Sequence, residues 1–473
     1  MGAPHIVKQE TSNLLDKTMS RALTTDLYHQ DTAYVAWRTG RTGTATFDLY
    51  IRGAPFGGAY VLVAGLATAL SHTTSFRYTE EDLQYLAQLR AYDPDFLAFL
   101  RDLRFTGNIS AMPEGTVAFP DEPILQVRAP FIEAVLLESG LLQSINLATL
   151  IATKASRIVT AAAGRPVSEF ALRRAHAPYE VARAASIGGC PTTSNVAAAK
   201  RLGLQPTGTI PHALVQLFDT EREAFEAVAT TLPQYTLLLD TYDLHQAIHT
   251  AVEVARQARQ RLGHDLVAVR LDSGDLAADS RYVRGVLDAG GLDSARILAS
   301  GDLDEFSITK LINTNAPIDG FGVGTNLGIG AGSLEHRVAG GTLGAVYKLA
   351  EYEDLAGTAS ARLKLGGDKS SWPGRKLVSR AGQYAHDIIQ LASEAPPPDA
   401  APLLRPVVQS GTLLPESSPP LPEIAAVAAA NLRALPKQWR RLTVEHAYRV
   451  QFSSGLRALR ERLVRALQEG REP

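Results

Sequence analysis

Short apolar runs alternate with helical stretches from about residue 135 onward, and this rhythm constrains the fold more than any other feature of the sequence. Runs of the kind that form buried strands occur at 235–239, 266–270, 296–299 and 320–323. They recur roughly every 30 residues, which is the length of a βαβ unit. Continuous apolar strands separated by helices are typical of parallel strands that are covered on both faces. This part of the chain therefore predicts a parallel α/β sheet or barrel.

The part of the chain before this region has a different organisation. Strand-like segments at 46–51 and 124–128 and helical spacing over 80–103 do not alternate strictly. That mixture predicts an α+β domain over residues 1–135. The α/β region is expected to cover residues 136–350.

The C-terminal region, 351–473, combines two kinds of segment. Residues 394–423 are rich in Pro and Ser, which predicts a surface connection. The stretch 443–469 has helical spacing and a leucine face at positions 456, 459, 463 and 467. We expect terminal helices that pack back on the N-terminal domain or on a partner subunit.

Composition limits the partners that this chain can have. Its 473 residues carry a formal net charge of −2, from 47 basic and 49 acidic side chains. Nucleic acid is not an expected partner, because polyanions bind basic surfaces. Cys190 is the single cysteine, so neither an intrachain disulfide nor a zinc site is predicted. The N-terminus lacks the apolar core of a signal peptide and no run suits a membrane span, so we expect a cytoplasmic protein with no membrane partner.

Three short loops each follow a strand-like run. They are GTIPHA at 208–213, RLDSGD at 270–275 and GVGTN at 322–326. Active sites of parallel sheets and barrels lie at the carboxyl ends of the strands, so we expect the three loops to lie together. One offers an imidazole, one an Arg with two carboxylates, and one a set of backbone N–H groups. Together they predict an enzyme that acts on a phosphorylated sugar.

The first loop contains His212, which follows Thr209 by three positions and precedes a helical segment. A lone His is more often a hydrogen-bonded structural residue than a catalytic one. At the start of a helix, partial positive charge favours the neutral, nucleophilic imidazole and a nearby phosphate. This segment alone leaves both interpretations open.

Carboxylates follow two of the strand-like runs. Asp272 and Asp302 are either turn-forming residues or acceptors for sugar hydroxyls, and Asp272 would also stabilise positive charge on a ribose carbon. Arg270 would project beside Asp272 towards an anionic group. Asp275 is equally well explained as a helix cap.

Two further segments suit phosphate and aromatic ligands. Gly324 and Thr325 offer N–H groups and a hydroxyl, as phosphate loops do, although a glycine pair is usually a turn. Phe170 suits stacking on an aromatic ligand. Arg173 or Arg174 suits a phosphate clamp, although Arg pairs are mostly solvated.

These segments, in this order, resemble the nicotinate phosphoribosyltransferase family over most of the chain. The matching motifs are TDLY at 25–28, APFGG at 54–58 (Asn-Pro-Phe-Gly-Gly in relatives), Phe-x-x-Arg-Arg at 170–174, Gly-Thr-x-x-His at 208–212, RLDSGD at 270–275, Gly-x-Gly-Thr at 322–325, VYKL at 346–349 and Pro-Gly-x-Lys at 373–376. The chain departs from the family at Pro211, where relatives often carry Ala, and looks less typical at 328–341 and after Lys364.

The resemblance implies a type II phosphoribosyltransferase. The implied fold is an irregular (β/α) barrel beside an N-terminal α+β domain, with a C-terminal helical extension, in a homodimer with a shared active site. The implied reaction joins nicotinate to phosphoribosyl pyrophosphate and gives nicotinate mononucleotide and pyrophosphate for NAD salvage. ATP hydrolysis is coupled to it through a phosphohistidine, and Mg²⁺ is bound mainly through pyrophosphate oxygens and water rather than by a dedicated protein metal site.

The resemblance also implies roles for individual residues. His212 would be the phosphorylated histidine, and Asp272 would act at the ribose. The nicotinate site would contain Tyr28 (otherwise a core or interface tyrosine, here from the partner subunit), Phe170, Thr209 and Arg270. The phosphoribosyl pyrophosphate site would contain Arg173, Arg174, Asp302, Gly324 and Thr325.

Two alternatives remain beside this prediction. A nicotinamide phosphoribosyltransferase would share the architecture and differ in the polarity of the pyridine pocket. A barrel-derived ligand-binding protein without catalysis would have the fold alone, since fold does not establish activity. A quinolinate-type enzyme is disfavoured because it would be shorter and would not need His212.

Overall fold

The computed structural model describes residues 20–366 and 370–470. The N-terminal segment without a signal-peptide core, 1–19, and part of the atypical segment after Lys364, 367–369, lie outside the described residues. Within the described ranges, no helix is both long enough and apolar enough to cross a membrane.

The N-terminal part of the chain combines helices with strands. In chain order its elements are α1 (Leu27–Arg38), β1 (Thr44–Ile51), β2 (Val61–Leu62), α2 (Leu66–Thr74), α3 (Glu80–Leu89), α4 (Pro94–Asp102), β3 (Asn108–Ala111), β4 (Val117–Ala118), β5 (Pro123–Pro130) and α5 (Phe131–Leu136).

The helical spacing predicted over 80–103 belongs to two helices. Helix α3 begins with a capping box, in which the Thr79 hydroxyl accepts a hydrogen bond from the Asp82 N–H and the Asp82 carboxylate accepts one from the Thr79 N–H. Helix α4 begins at Pro94 and is capped by Asp93. Proline is tolerated in the first turn of a helix but not in its interior, so one continuous helix cannot form here.

The middle of the chain alternates strands and helices as predicted. Its elements are α6 (Glu138–Ala161), β6 (Val167–Glu169), α7 (Pro178–Ile187), β7 (Thr192–Thr193), α8 (Val196–Leu202), β8 (Gln205–Pro206), α9 (His212–Val215), α10 (Glu221–Thr231), β9 (Gln234–Leu238), α11 (Leu244–Leu262), β10 (Asp265–Leu271), α12 (Leu276–Ala289), β11 (Arg296–Ala299), α13 (Glu305–Asn313), β12 (Gly320–Val323) and α14 (Thr325–Gly328).

Strands β6 to β12 form one parallel sheet of seven strands, in the order β8-β7-β6-β12-β11-β10-β9. The first and last strands, β6 and β12, are hydrogen-bonded neighbours, as in a barrel that closes on itself. The edges of the sheet are β8 and β9, which follow one another along the chain. The sheet is therefore a curled half-barrel, and the predicted α/β class with parallel strands is confirmed. Residues 207–233, which include His212, connect the two edge strands.

The C-terminal part adds further strands and two long helices. Its elements are β13 (Ala345–Glu353), β14 (Ala359–Ala361), β15 (Lys376–Ala381), β16 (His386–Leu391), β17 (Ala400–Pro402), β18 (Arg405–Gln409), β19 (Thr412–Leu413), α15 (Leu421–Ala434), β20 (Val450–Phe452) and α16 (Ser454–Gln468).

A second sheet of seven strands joins the two ends of the chain. Its order is β14-β13-β1-β5-β3-β18-β19, and its neighbouring strands are antiparallel. Strands β17-β15-β16-β20 form a smaller sheet, and β2 pairs with β4. On α16, Leu456 and Leu463 of the predicted leucine face are buried.

The Pro-rich segment differs from its prediction as a surface connection. It contains β17, β18 and β19, and both Val407 and Val408 are buried. Strand β18 pairs with β3, and Pro406 sits next to an irregularity in that pairing. Proline lacks a backbone N–H donor, and within β-sheets it is confined to edge strands and bulges. The composition of this segment therefore does not predict a short strand that contains proline.

Helix α6 holds the two halves of the core together. Its buried Leu141, Ile145 and Leu150 pack into the core around the antiparallel sheet. Its buried Ile151 and Ile158 pack into the core beneath the parallel sheet. A helix with apolar residues on more than one face is buried between layers, and this arrangement fixes the half-barrel against the second sheet.

Candidate active site

His212 begins the short helix α9, directly after Pro211, and its side chain is 41% exposed. Its Nδ1 lies 3.0 Å from Thr241 Oγ1. Its Nε2 lies 3.8 Å from Asp272 Oδ2. The imidazole is thus held from one side and open to ligands on another, next to a carboxylate from a different strand.

Arg270 lies at the end of β10 and makes three side-chain hydrogen bonds. Its Nε donates to Ser300 Oγ at 2.7 Å, and its Nη1 donates to Thr209 Oγ1 at 2.8 Å. Its Nη2 donates to Asp272 Oδ1 at 2.6 Å. A guanidinium group has a rigid fork of donors, so these partners fix the group in one orientation.

The Asp272 carboxylate is half-buried between charged and polar groups. Burial opposes its ionisation, but hydrogen bonds from Arg270 and Ser300, with the charges of Arg270 and His212, outweigh that cost and hold the pKa of Asp272 below its ordinary value. The carboxylate is therefore negatively charged at neutral pH, as stabilisation of a cationic centre requires.

The loop that follows β9 holds both Asp272 and His212. The Asp240 carboxylate accepts hydrogen bonds from the Asp272 N–H at 2.9 Å and from Ser273 Oγ at 2.6 Å. The next residue, Thr241, contacts the imidazole of His212. Two adjacent residues thus set the relative positions of a carboxylate and an imidazole from two other loops.

Phe170 follows β6 and is held at its backbone and its ring. Its N–H donates to Val323 O at 2.9 Å. A side-chain carbon at Gly322 would lie 2.4 Å from the ring, so the ring occupies the space that this glycine leaves. The preceding Glu169 is buried and accepts hydrogen bonds from the Ala171 N–H and the Thr193 hydroxyl. Burial raises the pKa of Glu169, and these two hydrogen bonds oppose that rise.

The loops after β11 and β12 are tied to each other. Asn326 donates from its side-chain amide to Asp302 O at 2.8 Å. The Asp302 side chain is exposed, and its φ of 45° is in the left-handed region. Gly324 and Thr325 lie at the start of the short helix α14. The predicted ribose and phosphate loops are therefore neighbours at the same end of the sheet.

One cavity of about 300 Å³ brings most of the predicted side chains together. Its lining consists of Phe170, Leu172, Arg173, Ser194, Gly208, Thr209, Pro211, His212, Arg270 and Asp272. The lining does not include Arg174, Asp302, Gly324 or Thr325. The cavity lies beyond the carboxyl ends of the parallel strands, where the three loops were expected to meet.

Tyr28 lies apart from this cavity lining within the single chain. It is in the first turn of α1 and its side chain is 59% exposed. Its ring centroid lies 4.0 Å from that of His29, whose Nε2 is 3.3 Å from Glu138 Oε2. The exposed Tyr28 ring thus packs against His29, a buried residue that itself lies close to the Glu138 carboxylate.

Comparison with known proteins identifies the family. The chain is 40% identical over 427 residues to the nicotinate phosphoribosyltransferase pncB2 of Mycobacterium tuberculosis, covering 89% of each chain. It is 40% identical over 370 residues to the nicotinate phosphoribosyltransferase of Bacillus subtilis, covering 77% of this chain and 74% of that one. The chain belongs to the nicotinate phosphoribosyltransferase family.

Family models and a solved structure agree with this membership. Residues 23–146 match the nicotinate phosphoribosyltransferase N-terminal domain, and residues 396–460 match the C-terminal domain. The crystal structure of human nicotinic acid phosphoribosyltransferase superposes with a TM-score of 0.81 and 29% identity, over 93% of this chain and 99% of that one. The curled parallel sheet is therefore an architecture that this family member shares with a solved relative.

Sequence reasoning missed three side chains of this family member's site. Ser300 binds both Arg270 and Asp272, Asp240 and Thr241 hold the two neighbouring loops, and all three follow apolar strands. A polar residue directly after a strand of the half-barrel was the available signal. The described residues contain no group of three or more His, Cys, Asp or Glu side chains arranged to hold a metal ion.

Proposed function

We propose that this protein is a nicotinate phosphoribosyltransferase, which joins nicotinate to phosphoribosyl pyrophosphate and releases pyrophosphate, for NAD salvage. The observation that carries the proposal is the fixed guanidinium of Arg270, held by Thr209, Asp272 and Ser300 at the wall of the cavity that Phe170 also lines. The same cavity offers a flat aromatic surface, two Arg side chains and an ionised carboxylate, which suits an anionic aromatic base and an anionic sugar phosphate.

The base site consists of Phe170, Thr209 and Arg270. The Phe170 ring stacks on the pyridine, and the positive charge of Arg270 orients the nicotinate carboxylate. The Thr209 hydroxyl keeps Arg270 in place through its hydrogen bond of 2.8 Å. Because the side chains of Phe170 and Arg270 are already held in place, they lose little conformational entropy when the base binds.

The reaction forms one bond and breaks another at the ribose C1. The nicotinate nitrogen attacks C1 with its lone pair, and the bond from C1 to the pyrophosphate oxygen breaks with its electrons on the leaving group. Positive charge develops on the ribose in the transition state, and Asp272 stabilises it. No proton must be removed from nicotinate, so the residues act by position and charge. The phosphates are held by Arg173 at the cavity, by Arg174 on the adjacent surface, and by Gly324 and Thr325. The Asp302 carboxylate accepts a hydrogen bond from a ribose hydroxyl.

ATP and Mg²⁺ belong to the proposed reaction. Transfer of the ATP γ-phosphoryl group to the His212 imidazole releases ADP. Later hydrolysis of the phosphohistidine couples the free energy of ATP hydrolysis to binding of the other substrates. The donor set near His212 fits a hydrated Mg²⁺: Asp240 Oδ1 is buried without a hydrogen bond among the described residues, and Asp272 Oδ2 lies 3.8 Å from His212 Nε2. Mg²⁺ neutralises phosphate charge, and it prefers oxygen ligands and several waters.

The proposed assembly is a homodimer with a shared active site. Tyr28 is exposed and outside the cavity of its own chain, which suits a ring that covers the pyridine in the partner subunit. The proposed domains are an N-terminal α+β unit over 1–135, a barrel over 136–350 and a C-terminal region over 351–473. A single, buried cysteine thiol, Cys190, suits the reducing cytoplasm that we propose as its location.

The charge of the cavity favours nicotinate over nicotinamide. Asp272 is the single acidic residue of the cavity lining, and it is bound to Arg270, whereas Arg173 has no side-chain partner among the residues that the structure describes. A surplus of positive charge stabilises a carboxylate more than a neutral amide.

Product analysis tests the proposal. The protein is incubated with phosphoribosyl pyrophosphate and either base, with and without Mg-ATP, and the nucleotides are separated by chromatography. We expect nicotinate mononucleotide, in an amount that rises with ATP. Formation of nicotinamide mononucleotide alone would assign the sister activity, and no product with either base would indicate a ligand-binding protein without catalysis.

A further inference from the structure

Glu169 is a buried residue that lies next to the candidate site without lining its cavity. It is the last residue of β6, and it lies opposite Val323 of β12 on one side and Thr193 of β7 on the other. Successive side chains of a strand point to opposite faces, so Glu169 points away from the face on which Phe170 lines the cavity. Any effect of Glu169 on a ligand therefore passes through its neighbours.

The Glu169 carboxyl group makes two hydrogen bonds and no ion pair among the residues that the structure describes. One oxygen accepts from the Ala171 N–H and the other from the Thr193 hydroxyl. Burial of a carboxyl group without a cation is unfavourable for folding. Stabilisation by charge therefore does not explain Glu169, and its contribution lies in the two groups that it holds.

The first of these groups belongs to Ala171, which starts the turn that follows β6. The Ala171 N–H lies beyond the end of the strand and has the Glu169 carboxyl group as its acceptor. The Ala171 carbonyl accepts from the N–H groups of Arg174 and Ala175, both at 2.8 Å. A side-chain carbon at Gly328 would lie 2.4 Å from the Ala171 methyl group, so this methyl group packs against α14. Glu169 thus fixes the point at which the chain leaves the sheet.

The second group is the hydroxyl of Thr193, the last residue of β7. The Thr193 oxygen accepts from the Asn195 N–H at 3.0 Å, and the Asn195 side chain caps α8. The backbone adds a further hydrogen bond of 2.8 Å, from the Ser194 N–H to the carbonyl oxygen of Glu169. Glu169 therefore links the turn after β6 to the loop after β7.

These two segments form one wall of the site cavity. Phe170, Leu172 and Arg173 come from the first segment and Ser194 from the second. We call these four residues the Phe170 wall. The other wall contains Arg270 and its hydrogen-bonded partners. Among the described residues, no side-chain hydrogen bond joins the two walls, so the hydrogen bonds of Arg270 do not hold the Phe170 wall in place.

We propose that Glu169 is a positioning residue for substrate binding, which holds the Phe170 wall so that the Phe170 ring meets the base and Arg173 meets a phosphate. This inference rests on the proposed function, in which these two side chains bind nicotinate and phosphoribosyl pyrophosphate. A stacking contact and a phosphate contact of this kind are made equally in the bound substrates and in the transition state. Loss of their positions therefore raises KM and leaves kcat nearly unchanged.

Steady-state kinetics of Glu169→Ala test the proposal, because this change removes both hydrogen bonds of the carboxyl group. We expect KM for nicotinate and KM for phosphoribosyl pyrophosphate each to rise at least tenfold, with kcat within threefold of wild type. Loss of folded protein alone would lower the apparent kcat and leave both KM values unchanged.

Glu133→Ala is the matched control. Glu133 is also buried, its carboxyl group accepts hydrogen bonds from the N–H and the hydroxyl of Thr106, and it does not line the cavity. We expect this variant to keep both KM values within threefold of wild type. A rise in KM as large as that of Glu169→Ala would contradict a specific role for Glu169.

Two further variants make the test independent of the stability of Glu169→Ala. Glu169→Gln retains an oxygen that accepts from the Ala171 N–H and gains an NH₂ group that donates to the Thr193 oxygen, so we expect both KM values within threefold of wild type. Thr193→Val removes one of the two partners of the carboxyl group, and we expect both KM values to rise at least threefold. Glu169→Gln as defective as Glu169→Ala, or unchanged KM values in Thr193→Val, would contradict positioning by these hydrogen bonds.

Hydrogen exchange separates this inference from the proposed function. We expect peptides that contain Ala171 to exchange faster in Glu169→Ala than in wild type, whereas peptides that contain Arg270 exchange equally in both proteins. Equal exchange at Ala171 would refute positioning by Glu169, whatever the activity. No turnover of nicotinate by the wild type would instead refute the proposed function.

Discussion

Arg270, near the end of β10, and Asp272, directly after that strand, are joined by a hydrogen bond of 2.6 Å between Nη2 and Oδ1. Side chains two positions apart on a strand project to the same side, so the pair converges on the cavity. Each member fixes the other, and Ser300 binds both. In the proposed site, the positive charge that faces the base and the negative charge that faces the ribose therefore belong to one rigid unit.

Replacement of Arg270 by Lys keeps the positive charge and loses the fork of donors. We expect kcat/KM for nicotinate to fall by roughly 10² to 10³, the scale for loss of one fixed donor in an active site. Arg259→Lys is the matched control, because Arg259 makes an exposed ion pair with Asp265 away from the cavity. Equal losses in the two variants would contradict a specific role for Arg270.

The pKa of Asp272 is predicted to depend on Ser300. The folded protein holds this pKa below the ordinary value of 3.8, so the stability that Asp272 contributes is present above that pH and is lost as the pH falls through the lower, folded value. Ser300→Ala removes one hydrogen bond to the ionised form, so we expect the Asp272 pKa to rise. The acid limb of kcat/KM then moves to higher pH.

Titration of the Asp272 carboxyl carbon by NMR in wild type and Ser300→Ala measures this shift. Ser273→Ala is the control, because that hydroxyl donates to Asp240 rather than to Asp272. The account fails here if the titration of Asp272 is the same in all three proteins.

The Thr241 hydroxyl is predicted to position His212 for coupling to ATP. Thr241→Val removes the group that lies 3.0 Å from Nδ1 while it keeps the side-chain shape. We expect stimulation by Mg-ATP to fall at least threefold, with less change in the rate without ATP, and we expect His212→Ala to abolish the stimulation. Radioactive phosphate retained on the protein after incubation with labelled ATP is the direct readout. Full labelling of His212→Ala would show that another residue is phosphorylated.

Mixed dimers test the shared active site. Tyr28→Ala and Phe170→Ala are each expected to lose most of the activity as homodimers. In a dimer of one chain of each kind, one of the two sites regains both rings. An equal, freely exchanging mixture should therefore recover about a quarter of wild-type activity, given random pairing in a twofold dimer. No recovery in a mixture that is shown to exchange subunits would place Tyr28 in its own chain's site.

A buried ion-pair cluster is predicted to stabilise the contact between the APFGG turn and the half-barrel. Glu305 contacts Lys154 Nζ at 2.5 Å and Arg157 Nε at 3.0 Å, and all three side chains are at most 2% exposed. Arg157 Nη2 also donates to Phe56 O at 3.0 Å. Removal of one partner leaves uncompensated buried charge, so Glu305→Gln should lower the free energy of unfolding by about 3–5 kcal/mol.

Urea unfolding measures this loss. Glu253→Gln is the control, because it breaks an exposed ion pair with Arg222, which is worth roughly 0–1 kcal/mol. A loss for Glu305→Gln no larger than that of the control would show that the buried cluster does not stabilise the fold.

The parts of the architecture that could be predicted from the sequence are those that depend on one physical pattern, the burial of short apolar strands. Strands β9 to β12 were predicted because they are short and apolar, and the loops with Asp272 and Gly324 were expected at the carboxyl ends of β10 and β12. Sequence reasoning did not reach contacts that join distant residues, since nothing in the sequence shows that Ser300 lies against Arg270. It also missed β18, whose Pro406 masks the strand.

The most direct test is competition between the two bases in one reaction. Equal concentrations of nicotinate and nicotinamide are supplied with limiting phosphoribosyl pyrophosphate and Mg-ATP, and the ratio of the two mononucleotides gives the ratio of kcat/KM. The Arg270 and Arg173 charges predict at least a hundredfold excess of nicotinate mononucleotide, and a much smaller excess for Arg270→Gln, which removes one of the two charges. An equal mixture of products, or an excess of nicotinamide mononucleotide, would contradict the account.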